Sequence, residues 1–340
     1  MKRVCFNIIL FVGMILGSLN NAAYAKRVDP LPSWNDTKNK NKIVRFVKAV
    51  TRAGGKDFVP VDARIATFDM DGTILIEKPG GVFFTALFTK QMTSGLPPQD
   101  LAILSAQVIE AIKANDMEFL NQLAYTSYQG MTQTDAIENV LNFVENTEHP
   151  GFGATYIDLF YQPMLELIAY LEDNDFEVFV VSGSLQFFTR SVVNKKTNIK
   201  RTNLIGPRMI LDYKTNPSHE QIDFIRTGTV FPLEAVGNGK ALAIDLNIGV
   251  KPILAFGNTG GDQQMLEYAS TNTYRNLSLL LNHDDNAREC AYPIAGATPQ
   301  KDWVIVSMKD DFATVFKDAK KEASGGMSPE TLQLAACGAP

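Results

Sequence analysis

Short apolar runs that end abruptly in small polar or acidic residues recur along the chain, and they predict the strands of one sheet. They lie at 64–69, 176–181, 252–256, 273–281 and 302–308. Runs of this length, bounded by turn residues, are typical of buried strands. Helical periodicity separates several of them, so the pattern predicts an α/β fold with a mostly parallel sheet.

A long stretch between the first two strands is helical in period. Apolar residues recur three and four positions apart through 78–174, as in Ile137, Val140 and Val144. Thr132 predicts the start of that helix, because a threonine three residues before an acid is a typical capping pattern. An insert of this size beside the end of a strand predicts a helical cap over a site.

The two ends of the chain differ in character from the fold. Met1–Ala25 has a basic start, an apolar middle and the small-x-small sequence Ala23-Tyr24-Ala25, which predict a secretory signal peptide. Its apolar run is short for a membrane span, so we expect no stable membrane anchor after cleavage. A polar lead then precedes a helix for which Asp36 is the predicted N-cap.

These patterns give a domain organisation for the whole chain. We expect a signal peptide at 1–25, a helical cap at 78–174 and a lysine-, glycine- and alanine-rich loose tail at 317–340. Residues 26–77 and 175–316 form the α/β core with its N-terminal helix. The protein is therefore expected to be exported, either to a periplasm or to the medium.

Composition narrows the class of partner. The chain of 340 residues carries a formal net charge of -5, which does not indicate a nucleic-acid surface. Cys5 lies in the leader, and Cys290 and Cys337 remain after cleavage. A disulfide between them and two free thiols are both compatible with the sequence. Oligomeric state is not predictable from these patterns.

Two carboxylates follow the first predicted strand. Asp69 and Asp71 stand where the backbone leaves the sheet, and in open α/β sheets ligands bind at the carboxyl ends of strands. Like charges crowded in a partly dry site favour a shared cation, and oxygen ligands favour Mg²⁺. The alternative is structural, since Asp-Gly pairs often make a simple turn after a strand.

Phosphate-binding signals follow the later strands. Ser182 and Gly183 stand before a predicted helix, whose first backbone N–H groups favour a phosphate. Lys240 opens another helix after Gly237-Asn238-Gly239, and Asn258 and Asp262 follow the strand at 252–256. Each has a structural alternative: the serines and Asp262 are also good helix caps.

Taken together and in this order, these motifs resemble those of the haloacid dehalogenase-like (HAD) superfamily, over roughly residues 61–310. The large helical insert is similar to the cap of its phosphoserine-phosphatase-like branch. Leu31-Pro32-Ser33-Trp34-Asn35-Asp36 is similar to the opening of exported bacterial members. The resemblance implies a Rossmann-like core and a phosphomonoester hydrolase that acts on a small-molecule phosphate ester.

The resemblance also implies residue roles. Asp69 is the expected nucleophile, and Asp71 protonates the leaving alcohol and then activates water. Ser182 and Lys240 are expected to contact the phosphoryl group, and Gly72, Thr73 and Gly183 to line it. Mg²⁺ is the expected cofactor, held by Asp69, the main-chain carbonyl of Asp71, Asn258 and Asp262.

One position departs from the pattern of many relatives. Asn258 stands where those relatives have an aspartate, so one negative charge is missing from the expected metal site. Asp262 then remains either as a direct ligand or as an anchor for the ligands. This departure is also the one feature that favours a catalytically impaired relative that binds a phosphorylated ligand.

Three alternatives to hydrolysis therefore stay open at this point: that impaired relative, a metal-free dehalogenase, and transfer of the phosphoryl group to another alcohol. A dehalogenase does not need an acid at the position of Asp71, so the presence of Asp71 argues against that alternative. The substrate is equally open, because the cap pattern indicates packing rather than contacts. Phosphoserine, phosphorylcholine, sugar phosphates and nucleotides all remain candidates.

Overall fold

A computed structural model describes residues 29–78, 81–92, 95–114, 116–215, 222–231, 237–292, 294, 296–317 and 337. The predicted leader lies outside these residues, as does the predicted tail apart from residues 317 and 337. From Leu31 onward the chain forms one compact unit. No described helix has both the length and the apolar character that crossing a membrane requires.

Most of the described strands belong to one parallel sheet. The strands, β1 to β8 in chain order, are Ile65–Phe68, Glu177–Val181, Leu204–Ile205, Met209–Thr215, Ile222–Val230, Leu254–Gly257, Leu277–Asn282 and Val304–Ser307. Six of them pair in parallel in the order β3-β2-β1-β6-β7-β8. The predicted α/β fold with a mostly parallel sheet is confirmed.

Helices precede, interrupt and cover this sheet. The α-helices, α1 to α10 in chain order, are Lys38–Thr51, Val82–Met92, Pro98–Ala114, Met117–Ser127, Gln133–Asn146, Gln162–Glu172, Gln186–Val193, Asn238–Ile248, Gln263–Ser270 and Met308–Asp311. Helices α2 to α6 all lie between β1 and β2, where the sequence predicts the cap. Thr132 caps α5 as expected, because its side chain accepts a hydrogen bond from the Asp135 N–H.

Both faces of the sheet are buried, which is why its strands read as unbroken apolar runs. Successive residues of β1 point to opposite faces: Ile65 joins one buried cluster, and Ala66 and Phe68 join the other. Helices α1 and α6 pack on the face of Phe68, and α8 and α9 pack on the face of Ile65. The fold therefore holds β1 at the centre of a covered sheet.

The N-terminal lead is part of the core rather than a polar extension. Leu31 and Trp34 are buried, and the Trp34 indole N–H donates to the Pro163 carbonyl at 2.9 Å. A segment of four residues is too short to show a period, so its burial is not predictable from the pattern of apolar residues. The N-cap of α1 is also Thr37 instead of Asp36, because Thr37 accepts from the Lys40 N–H while Asp36 pairs with the Lys40 ammonium.

Strands β4 and β5 form a separate antiparallel hairpin. The sequence assigns this segment to the core range 175–316, yet β5 packs against the cap helices α4 and α5. Main-chain hydrogen bonds join it to the cap, since Gly130 N–H donates to Arg226 O and Arg226 N–H donates to Met131 O. The hairpin therefore packs with the helical segment for which the sequence predicts the cap.

The two cysteines that follow the leader are joined. Cys290 and Cys337 form a disulfide with a Cα–Cα distance of 5.4 Å, and both are buried. The predicted tail is therefore attached to the fold at Cys337.

Candidate active site

The carboxyl ends of β1, β2 and β6 meet at one edge of the sheet. β1 lies between the other two strands, and Phe68 pairs with Val180 on one side and with Phe256 on the other. The residues that follow these strands, including Asp69, Ser182 and Asn258, are therefore brought together. This convergence is what the sequence predicts for an open α/β sheet.

Lys240 connects two acidic residues from different loops. Its Nζ lies 2.5 Å from Oδ1 of Asp69 and 2.7 Å from Oδ1 of Asp262. All three residues are buried. Lys240 reaches this position because it lies in the first turn of α8. Three of the predicted site residues thus form one buried charge cluster.

Burial and charge shift the pKa values of this cluster. Burial and the negative charge of Asp262 raise the pKa of Asp69 well above its ordinary value, although Lys240 opposes them. Burial disfavours the ammonium of Lys240, but the charges of Asp262 and Asp69 outweigh it and raise its pKa. Lys240 is therefore a permanent cation at this edge of the sheet, while the charged form of Asp69 depends on its neighbours.

Asp71 is held by hydrogen bonds from the core and from the cap. Ser184 Oγ donates to Oδ2 of Asp71 at 3.0 Å, and the N–H of Val82, the first residue of α2, approaches Oδ1 at 3.2 Å. Burial raises the pKa of Asp71 to about 6 against these two hydrogen bonds, and the charge of Glu77 adds to the rise. A carboxyl with this pKa exchanges protons near neutral pH, as a general acid–base requires.

The serine loop after β2 is arranged differently from the expectation. Ser182 is fully buried, and its Oγ accepts a hydrogen bond from the Ser184 N–H at 3.0 Å. Gly183 and Ser184 line the cavity beside Asp71, whereas Ser182 does not. Neither serine caps α7 through its side chain. The geometry therefore gives Ser182 a supporting position and presents the hydroxyl of Ser184.

Asp262 anchors the loop after β6. Its Oδ2 accepts from the N–H groups of Asn258 and Thr259 at 2.9 and 3.0 Å, and its Oδ1 accepts from Lys240. Both oxygens are thus engaged within the protein. Of the two roles open to Asp262, direct ligand or anchor, the geometry favours the anchor.

These groups surround a cavity of about 200 Å³. The core contributes Asp69, Asp71, Lys240 and Asn258 to its wall, and the cap segment contributes Gly81 and Asn121. Thr73 lies behind the wall, where its Oγ1 donates to Asn258 Oδ1 at 3.3 Å. The cavity has the composition of a small polar site that the cap partly covers.

Comparison with known families agrees with this arrangement. The family model described as haloacid dehalogenase-like hydrolase matches residues 66–267, which include the catalytic-type aspartates and the lysine. The chain belongs to the haloacid dehalogenase-like hydrolase family.

Three solved structures are among those similar to this chain. A conserved protein of unknown function from Anaerococcus prevotii is 14% identical, covers 76% of this chain and 89% of its own, and has a TM-score of 0.50. Cytosolic 5'-nucleotidase IIIB bound to cytidine is 15% identical, with coverages of 88% and 91% and a TM-score of 0.45. A probable phosphoserine phosphatase from Vibrio cholerae is 13% identical, with coverages of 83% and 67% and a TM-score of 0.41. No curated protein matches the sequence.

The structure adds one acidic residue that sequence reasoning missed in this hydrolase. Glu77 lines the cavity, and its Oε2 accepts from Asn258 Nδ2 at 3.1 Å and from the Tyr292 hydroxyl at 2.9 Å. The sequence signal was weak, because Glu77 is a lone acid after the apolar Ile74-Leu75-Ile76. Its carboxylate lies beside Asn258, the position where the sequence lacks a negative charge.

A second set of residues that the sequence does not reveal packs behind the turn at Asp71 and Gly72. His283 Nε2 lies 2.7 Å from the Gly72 carbonyl oxygen. Because a carbonyl can only accept, this nitrogen carries a proton. His283 Nδ1 faces Glu289 at 3.1 Å, and the Tyr292 ring stacks on the imidazole with centroids 4.1 Å apart. Residues 283–292 therefore fix the Asp71-Gly72 turn and lie next to the disulfide at Cys290.

Gly72 provides a test of this packing. Its φ is +74°, and an added Cβ would collide with the Asn258 side chain and lie 2.7 Å from Glu77 Oε2. Gly54 has a φ of +72° with no atom within 4 Å of an added Cβ. We expect Gly54→Ala to lower the free energy of unfolding by about 1–2 kcal/mol through backbone strain alone.

Gly72→Ala should lower the free energy of unfolding by about 1–3 kcal/mol more than Gly54→Ala does, because overpacking adds to the same backbone strain. Urea unfolding of the two variants measures the difference. Equal destabilisation by both substitutions would contradict the close packing of Asn258 and Glu77 around Gly72.

Proposed function

We propose that this protein is a Mg²⁺-dependent phosphomonoester hydrolase that acts on a small phosphorylated metabolite through an aspartyl-phosphate intermediate. The observation that carries the proposal is the buried carboxylate of Asp69, ion-paired to Lys240 and followed two residues later by Asp71 in the same cavity. Membership of a hydrolase family supports it.

Asp69 has the surroundings of a nucleophile. Its ion pair with Lys240 fixes the orientation of the carboxylate. The lysine also places a fixed positive charge beside the position that an attacked phosphoryl group would occupy. Phosphoryl transfer depends mainly on such positioning and on charge stabilisation around the equatorial oxygens.

Asp71 is suited to the proton transfers of both steps. Its hydrogen bonds to Ser184 and Val82 hold the carboxyl in the cavity wall, and its pKa of about 6 allows both protonation states. As an acid it would protonate the leaving alcohol. As a base it would then take a proton from the water that hydrolyses the aspartyl-phosphate.

The donor atoms of the cavity fit Mg²⁺. The hard oxygen atoms that a magnesium ion prefers are supplied by the Asp69 carboxylate, the Asp71 main-chain carbonyl and the Asn258 amide. Glu77 accepts from the Asn258 amide nitrogen, and the amide oxygen, which accepts one hydrogen bond from Thr73, keeps a second lone pair for a cation. When bound, the ion would offset the burial and repulsion that raise the pKa of Asp69, and would neutralise phosphoryl charge.

No three His, Cys, Asp or Glu side chains within the described ranges form a metal-binding group by themselves. The proposed set relies instead on one carboxylate, one amide and one main-chain carbonyl, with Asp262 as the anchor and Glu77 as a neighbouring charge. The size of the cavity supports a small substrate, and we expect Gly81 and Asn121, which line the cavity, to lie beside its non-phosphoryl part.

The first test replaces the nucleophile. Asp69→Asn should lower the rate of aryl phosphate hydrolysis by at least about a thousandfold, because an amide cannot form the covalent intermediate. A chelator should abolish the wild-type activity in the same assay. The matched control is Asp62→Asn, which neutralises an exposed aspartate outside the cavity and should retain full activity. Full activity of Asp69→Asn would sink the proposed mechanism.

The second test concerns the charge that Glu77 supplies near Asn258. Glu77→Gln should raise the Mg²⁺ concentration for half-maximal activity on the order of tenfold, because a negative charge near the cation is lost. The double variant Glu77→Gln/Asn258→Asp returns a carboxylate to the other side of the same contact and should bring the value back toward wild type.

Glu138→Gln removes an exposed glutamate of the cap and serves as the control for net charge. Titration of activity against Mg²⁺ measures all four proteins. An unchanged Mg²⁺ requirement in Glu77→Gln would show that Glu77 does not act on the metal site.

We also propose that the hydrolase is exported. The leader-like sequence at 1–25 and the disulfide between Cys290 and Cys337 support this, because disulfides persist in oxidising compartments. The protein recovered from outside the cytoplasm should begin at Lys26 by intact mass. Ala25→Arg should block cleavage and leave a longer chain; recovery of the full-length wild-type chain only from the cytoplasm would contradict export.

A further inference from the structure

A second cavity lies where the cap meets the core. Its volume is about 420 Å³, and it shares no lining residue with the cavity of Asp69. Helix α5 of the cap segment contributes Gln133 and Ile137, helix α7 of the core contributes Phe187, and the β4–β5 hairpin contributes Leu211. Pockets of this size are typical of sites for small molecules.

Positive charge dominates this second cavity. Arg190, Arg201, Arg208 and Arg226 all line it, and none of the described residues in its wall is acidic. None of the four forms an ion pair with a residue that the structure describes. Burial and the charges of Arg201 and Arg208 lower the pKa of Arg190. In a chain with a formal net charge of -5, four arginines around one cavity, none of them ion-paired to a described residue, are a marked concentration of positive charge.

Arg226 is the most deeply placed of the four. Its side chain is 2% exposed and its guanidinium lies over the Phe187 ring, 3.6 Å from the centroid. Nη2 donates to Gln133 Oε1 at 2.6 Å, and Nη1 faces the Met209 sulfur at 3.2 Å. Nε is buried and has no hydrogen-bond partner among the described residues. The charge of Asp223 acts on this guanidinium, but the two form no ion pair, so a buried arginine lies beside the cavity without a directly bound anion among the described residues.

We propose that this cavity is a second binding site, separate from the proposed catalytic one, for a multiply charged oxyanion such as a phosphate ester or a diphosphate. The guanidinium fork matches phosphate oxygens and forms paired, charge-assisted hydrogen bonds with them. Apolar side chains such as Phe187, Leu211 and Phe231 complete the wall and would contact the body of an organic anion. The proposal does not depend on the hydrolase activity.

The position of the site joins three parts of the fold. Arg226 lies on the hairpin, Gln133 on cap helix α5, and Arg190 on core helix α7. Helix α7 begins two residues after Ser184, whose hydroxyl holds Asp71. An anion in this cavity would therefore cross-link the cap to the helix that follows the serine loop.

The test is calorimetric titration with methylenediphosphonate, a diphosphate analogue that phosphatases cannot hydrolyse, in buffer with a chelator. The chelator removes divalent cations that would draw the probe to the carboxylates around Asp69, and the arginine variants assign the binding that remains. We expect saturable binding to the wild type. Arg201→Gln/Arg208→Gln, which changes two exposed arginines, should weaken binding by at least about tenfold.

The control is Arg45→Gln/Arg52→Gln, which removes two exposed arginines outside the cavity and causes the same charge change. It should bind the probe as the wild type does. Equal affinity in both double variants, or no saturable binding to the wild type, would overturn the proposal. Aryl phosphate hydrolysis by Arg201→Gln/Arg208→Gln is measured in parallel and should persist, which separates this proposal from the catalytic one.

Discussion

The candidate site depends on the buried ion pairs of Lys240 with Asp69 and Asp262. Removing one charged partner from such a buried cluster typically lowers the free energy of unfolding by about 3–5 kcal/mol, because the remaining charge stays buried away from water. The lysine comes from α8, Asp69 follows β1, and Asp262 follows β6. One side chain therefore ties three separate segments together, and the same contacts that stabilise the edge of the sheet also orient the nucleophile-like carboxylate.

The sequence predicted the parts of the site that follow from local patterns. Asp69 and Asn258 were placed at strand ends because short apolar runs followed by turn residues identify strands, and adjacent parallel strands bring their ends together. Lys240 was placed at the start of a helix by the preceding glycines. None of these patterns measures a distance, so the triad of Lys240 with two aspartates became visible only in the structure.

The residues that the sequence did not reveal act through contacts between distant segments. Glu77 meets Tyr292, and His283 meets the carbonyl of Gly72, across separations of 215 and 211 residues. A lone acid or histidine carries no periodic signal. The contact of Ser184 with Asp71 is likewise not predictable from the strand pattern, because both serines follow the same strand and the turn geometry decides which hydroxyl faces Asp71. The predicted contact of Ser182 with a phosphoryl group stays a prediction. Arg226 is not predicted, because its strand alternates weakly and its partners Gln133, Phe187 and Met209 come from three separate elements.

Asp71 accepts hydrogen bonds from two different parts of the fold. One of its oxygens receives the N–H of Val82, the first residue of the helix that opens the cap, and the other receives the hydroxyl of Ser184 from the core. Both hydrogen bonds favour the charged form of Asp71 against burial. Moving the cap away would remove the bond from Val82 but would also admit water, so the two effects on the carboxyl oppose each other. The helical segment that begins at Val82 is thus coupled to the protonation of Asp71 through one backbone N–H.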